Sequence, residues 1–279
     1  TGSQPWEPKN YDGQFEGPMA LRKALGKSKN MVSIRILQAI SPPYAQDWIT
    51  RFGFAADKHP PYLTMALGAG STTPLEMASA YSVFANGGYR IQPTLITRIT
   101  GMRDSLAVQT PPRILDESMR AISPRNAFVM TSLLQEVTRA GTAARAQQML
   151  RRPDIYGKTG TTNDAMDAWF AGFQPSLTAV VWIGYDQPRK LGARETGGGL
   201  ALPVWIDYMG YALRNTPVRE PDMPSGVVYQ DGDWFFDEYT RSTGIASLGL
   251  NDPLTPAGSA SAPASSPEDK RSILDLFKR

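Results

Sequence analysis

The chain has 279 residues, 41% hydrophobic and 20% charged, enough apolar material for one large core or two small ones. Its net charge of +3 is spread over scattered basic residues, which gives no electrostatic footprint for nucleic acid. The lack of cysteine excludes disulfides and thiolate metal sites, the single histidine excludes multi-histidine metal sites, and no run approaches the ~20 apolar residues of a membrane-spanning helix. His59, which any serine-histidine triad would have to use, precedes Pro60-Pro61 and reads as a solvated loop residue. The sequence opens Thr1-Gly2-Ser3-Gln4-Pro5, without a methionine or a signal-peptide pattern, and is expected to be a piece of a longer polypeptide.

In chain order, Gly17-Pro18 predicts a short amphipathic helix to Leu25, and a second helix is expected from Met31 to Ile40 with Ile34 and Leu37 on one side. Ser41 is expected to cap a third helix that starts at Pro42 and ends near Arg51, with Gly53 just beyond it. Thr73-Pro74-Leu75-Glu76 has the spacing of a capping box, and the helix it opens should bury Met77, Tyr81 and Phe84 before Asn86-Gly87-Gly88 stops it. Gln92 to Thr100 reads as a strand, with its return and a loop running to Pro112. Ser123-Pro124 opens the longest helix, with Val129, Leu133 and Val137 on one face and Gly141 at its end. Two aromatic and β-branched runs, Ala168 to Phe173 and Leu177 to Gly184, are bounded by Gln-Pro and Asp-Gln-Pro turns and read as strands. Gly197-Gly198-Gly199 lacks the full phosphate-binding fingerprint and reads as a loop or a backbone segment passing close to the sheet, before a helix from Pro203 to about Arg214. The expected organisation is an α/β chain of the α+β type: a main domain over 1–215, a small β extension around Trp234-Phe235-Phe236 over 216–250, and a disordered Pro/Ala/Ser-rich linker and tail over 251–279. The tail places Ile273, Leu274, Leu276 and Phe277 among charges.

Two short runs offer chemistry. Gly157-Lys158-Thr159-Gly160-Thr161-Thr162 brings together a fixed cation, threonine hydroxyls and a glycine where another backbone or a ligand can approach. On one face of an extended segment these groups would suit an anion such as a peptide carboxylate. The competing P-loop reading of Gly157-Lys158-Thr159 fails, because it needs a glycine where Arg152 stands and a helix directly after Thr159. Lys158 is therefore expected on a strand beside two antiparallel neighbours, with its side chain directed to the surface. The second run, Ser28-Lys29-Asn30, falls between two short helices. Its hydroxyl and carboxamide could pass a proton and hold an amide, although the same tripeptide also serves as a plain helix N-cap.

Trp6 to Gly13, Gly17 to Leu25, Ser28-Lys29-Asn30, Leu67-Gly68, Thr73 to Tyr81, Phe84 to Gly88, Lys158 to Asp164 and Asp167 to Phe170, in this order, resemble the transpeptidase domain of bifunctional, class A penicillin-binding proteins over roughly residues 5 to 215. The resemblance implies the penicillin-binding, serine-transpeptidase fold in part, a helical subdomain plus an antiparallel sheet whose N-terminal portion is missing. It further implies a D,D-transpeptidase that cross-links peptidoglycan stem peptides ending in D-Ala-D-Ala and is acylated by β-lactams, with no cofactor and no metal. Ser28 would relay a proton and Asn30 would hold the substrate amide. Lys158 would keep the site positive, and Thr159 and Thr161 would bind the terminal carboxylate. The Thr161 N–H would serve the oxyanion hole; Gly160 and Thr162 complete the substrate-binding run. The sequence departs from the family in one respect: no serine is followed three positions later by lysine, so the family's nucleophile is not in this chain. The parent is expected to be a membrane-anchored protein of the periplasmic face of the bacterial inner membrane. It would also be a glycosyltransferase, work within a cell-wall synthesis complex, and supply an N-terminal portion with which this chain associates. The alternative is a non-catalytic relative, a scaffold or cell-wall-binding module.

Overall fold

The structure, a computed structural model, describes residues 6–101, 106–109, 114–192 and 195–240. The tail over 251–279 lies outside the described residues. Helices α1 (Leu21–Gly26), α2 (Asn30–Ile40), α3 (Pro42–Ile49) and α4 (Pro74–Ala85) come first. The capping box that opens α4 is present in full: Thr73 Oγ1 accepts from Glu76 N at 3.2 Å, and the Glu76 carboxylate accepts from Thr73 N at 2.8 Å. Ser41 does not cap α3 with its side chain; it sits at a φ of 72°, between two helices that change direction there. Within α4 the fully buried residues are Ala80 and Val83, whereas Met77, Tyr81 and Phe84 are half-buried, because α4 presents its small residues to the closest contact.

The strand expected over Gln92 to Thr100 is short: β1 spans Arg98–Thr100 and pairs antiparallel with β2 (Leu106–Gln109). Helix α5 (Pro124–Arg139) is capped by Ser123 Oγ, which accepts from Asn126 N, and it buries Ala127, Thr131, Leu133, Leu134, Val137 and Thr138. Of the face expected from the sequence, Leu133 and Val137 are buried and Val129 is half-buried. Helix α6 (Arg145–Leu150) follows.

The central sheet contains β3 (Tyr156–Thr161), β4 (Ala168–Gln174) and β5 (Leu177–Ile183), all antiparallel, in the order β3-β4-β5. The strand of Lys158 thus lies beside the antiparallel pair β4 and β5, at the edge, with β4 as its one paired neighbour among the described residues. The central strand is the apolar β4, buried at six of its seven positions on both faces, as a strand covered on both sides requires. Phe170 points to one face, where it meets Trp205 of helix α7 (Leu202–Ala212) edge-on at 4.8 Å. Three residues on, Phe173 points to the other face and stacks on Tyr156 at 5.1 Å, packed with Leu134 of α5. Hairpin β6 (Val227–Gln230) and β7 (Asp233–Phe236), with α8 (Asp237–Thr240), is fastened back by Phe128 against Trp234 and by Arg22, which pairs with Asp233 and donates to Ser132 O at 2.7 Å.

Candidate active site

Ser28 is presented by the way α1 ends. Ser28 N donates to Leu25 O and Lys29 N to Ala24 O, both at 3.0 Å, which closes the helix with Ser28 in the left-handed region at a φ of 54°. Glycine normally fills this position, and an L residue there costs about 1–2 kcal/mol. The serine does not cap α2. Its hydroxyl instead faces β3, where it accepts a hydrogen bond from Lys158 Nζ at 2.7 Å, joining residues 130 positions apart.

Lys158 leaves β3 on the same face as Tyr156, paired in register with Ala171. It is half-buried rather than surface-directed, and its hydrogen bonds go to two neutral oxygens, Ser28 Oγ and Thr159 O at 3.0 Å. Desolvation by burial lowers its pKa to about 8, so the ammonium is still the main form at neutral pH but is held less tightly than in water. A lysine in this state can both attract an anion and exchange a proton with the neighbouring hydroxyl.

Strand alternation puts Thr159 and Thr161 on the opposite face from Lys158, which corrects the expectation of one common face. What unites the three is the outer edge of β3, which no strand covers among the described residues. Thr159 Oγ1 lies 2.7 Å from Thr142 Oγ1. Thr161 Oγ1 accepts from Gly197 N at 3.0 Å, which leaves its own proton to donate. The missing Cβ of Gly197, not that of Gly160, lets the glycine triplet lie against the strand: a Cβ on Gly197 would come within 2.4 Å of Gly160 O and 2.3 Å of Trp169 O, whereas one on Gly160 would meet only the Trp169 side chain, at 3.2 Å. The Thr162 hydroxyl is occupied differently. It accepts from Met166 N at 3.1 Å and Asp167 N at 2.8 Å and so holds the turn into β4.

Asn30 stands at the start of α2, with Nδ2 donating to Lys9 O at 2.9 Å, and its recorded bond is to the N-terminal strap rather than to Ser28 or Lys158. Lys29, between the two polar residues, is 3% exposed and ion-paired with Asp12 at 2.7 Å and Glu16 at 2.8 Å. The same Glu16 binds Lys27 at 2.6 Å, and the Lys27 and Lys29 ammonium groups lower its pKa to about 2. Asn10 adds a bond from Met31 N to its Oδ1. Residues 10–16 thereby clamp the turn that displays Ser28. Among the described residues, no cluster of acidic or histidine side chains could hold a metal ion.

Sequence reasoning missed Thr142, Asp12 and Glu16. Gly141 was legible only as a helix stop; in the structure a Cβ there would lie 2.3 Å from Gly26 O, and Thr142 N donates to that same oxygen at 3.0 Å. The only available signal was a threonine following the helix-ending glycine, which has no meaning without the contact.

The family model of the penicillin-binding protein transpeptidase domain matches residues 1–210. Penicillin-binding protein 1A of Neisseria flavescens is 47% identical over 268 residues, 95% of this chain and 33% of that protein; penicillin-binding protein 1A of Pseudomonas aeruginosa is 40% identical over 80% of this chain and 33% of its own length. The crystal structure of penicillin-binding protein 1A from Haemophilus influenzae superposes with a TM-score of 0.78 at 36% identity, covering 81% of this chain and 39% of that one. The chain spans about a third of the length of the curated relatives it matches. On the matching family model and on this identity to penicillin-binding protein 1A, the chain belongs to the transpeptidase domain family of class A penicillin-binding proteins.

Proposed function

We propose that this chain forms the substrate-holding wall of a serine D,D-transpeptidase that cross-links peptidoglycan and is acylated by β-lactams. The observation that supports it most is the 2.7 Å bond from Lys158 Nζ to Ser28 Oγ, which joins the two polar runs into one site. In this reading the nucleophilic serine belongs to a Ser-x-x-Lys segment outside these residues, and the chain by itself forms no acyl-enzyme. That serine attacks the penultimate D-alanine carbonyl; its proton passes through Ser28 to the departing D-alanine amine, and the ester is then opened by an amine of a neighbouring strand. Splitting the amide exchange in two in this way lowers each barrier. Lys158 holds the relay hydroxyl and attracts the terminal carboxylate, Thr159 and Thr161 bind that carboxylate, and the Thr161 N–H donates to the oxyanion, where a lost donor typically costs about 10²–10³ in rate. Asn30 holds the substrate amide after exchanging its bond with Lys9 O.

The strained Ser28 favours a catalytic role over a scaffold, since glycine would close α1 at lower cost and a scaffold has no need of the hydroxyl. The parent protein in this proposal is anchored in the inner membrane, faces the periplasm, carries a glycosyltransferase domain, and contributes an N-terminal portion that associates with this chain within a cell-wall synthesis complex. Fluorescent penicillin tests the reading. The full-length protein should be covalently labelled and its Lys158→Ala variant should not; an unlabelled full-length protein, or equal rates in both, refutes it.

A further inference from the structure

We propose that Thr142 is a positioning residue of the site, which turns the Thr159 hydroxyl proton toward the carboxylate of the incoming peptide or β-lactam. This rests on the transpeptidase reading and adds a residue to it. The two hydroxyl oxygens are 2.7 Å apart, and either can donate. If Thr159 donates to Thr142, it shows only lone pairs to the ligand and repels an anion. If Thr142 donates to Thr159, the Thr159 proton is released to the carboxylate and the two bonds polarise each other in series. A bound anion selects the second arrangement.

Thr142 suits this task because its backbone is fixed while its side chain serves no packing role. Its N–H is bound to Gly26 O at 3.0 Å, and Gly141 approaches the same carbonyl too closely for any side chain. A Cβ on Gly198 would lie 3.2 Å from Thr142 O. The residue is therefore held between the helix that ends at Ser28, the glycine triplet and β3. Yet its side chain is exposed, on the wall of an open cleft of about 360 Å³ shared with Asp12, Gly26 and Lys27. The charged groups of that cleft are already engaged, Asp12 with Lys29 and Lys27 with Glu16. The hydroxyl of Thr142 is left to act through Thr159.

The test is acylation of the full-length protein by fluorescent penicillin, resolved into a binding constant and a rate of acylation. Thr142→Val, which keeps the shape, should weaken binding about tenfold with the acylation rate nearly kept, as expected for loss of support to one charge-assisted bond. Thr142→Ser should restore binding to within about twofold. In the Thr159→Val background, adding Thr142→Val should cost almost nothing further. Labelling of the wild type with Thr142→Val equal to it, with Thr142→Ser as weak as Thr142→Val, or with additive effects of the two valines overturns this inference alone. No labelling of the wild type overturns the transpeptidase reading and this inference with it.

Discussion

Replacing Lys158 by methionine should make the protein more stable and inactive at the same time. A fall in pKa from 10.5 to about 8 through desolvation means that the folded state holds the lysine proton less tightly than the unfolded state does. At ~1.4 kcal/mol for each tenfold change in proton affinity, the charged lysine opposes folding by up to about 3 kcal/mol at neutral pH. Below about pH 8 both states carry the proton and the penalty is constant. Between about pH 8 and 10.5 the unfolded state binds more protons than the folded one, so wild-type stability rises with pH and the penalty fades. Lys158→Met has no such group, so its advantage should be greatest at pH 7 and shrink on approaching pH 10.5. Denaturant midpoints of the full-length protein and the variant, followed across this range, measure the difference. A wild type more stable than the variant at pH 7, or a gap independent of pH, refutes the reasoning. The variant should also fail to react with penicillin, so stability and activity are opposed at this residue.

Three further outcomes are expected. Ser28→Gly should leave stability unchanged or raise it by up to about 1 kcal/mol, because relief of the left-handed strain exceeds the added freedom of the unfolded chain, while penicillin labelling is lost; thermal melting and labelling measure the two effects. Gly141→Ala should destabilise by about 1–3 kcal/mol, since its Cβ would sit 2.3 Å from Gly26 O and force α5 away from the Ser28 turn, an effect visible as a lowered melting temperature. The strap over residues 10–16 should loosen in acid. Glu16 titrates at about 2 when folded and near 4.5 when free, so its contribution is complete above 4.5 and is lost as pH falls toward 2. Protection of residues 10–16 against hydrogen exchange, relative to the intrinsic rate at each pH, should fall over that window, and Lys27→Met combined with Lys29→Met should remove the pH dependence.

The strands around Lys158 were legible because aromatic and β-branched runs end at proline-containing turns, and α4 was legible because a capping box is a local pattern. Ser28, Asn30 and Lys158 could be named as partners only through the family resemblance; their spacing along the chain says nothing about distance. The structure joins Ser28 to Lys158, keeps Asn30 on the strap and gives Thr162 to a turn. β3 stands beside the antiparallel pair β4 and β5, as the turn-bounded runs suggested, but its place at the edge depends on which segments pack, and the more apolar β4 takes the centre.

The sequence by itself determined most of the helices and strands and the family, since these rest on periodicity, turn chemistry and motif order within short stretches. Only the tertiary structure decided that Lys158 is desolvated, that Ser28 is held in a left-handed turn, and that Thr142 meets Thr159. Each of these depends on contacts between segments far apart in the chain, where burial and close approach change the energy of a side chain without leaving any mark on its neighbours in sequence.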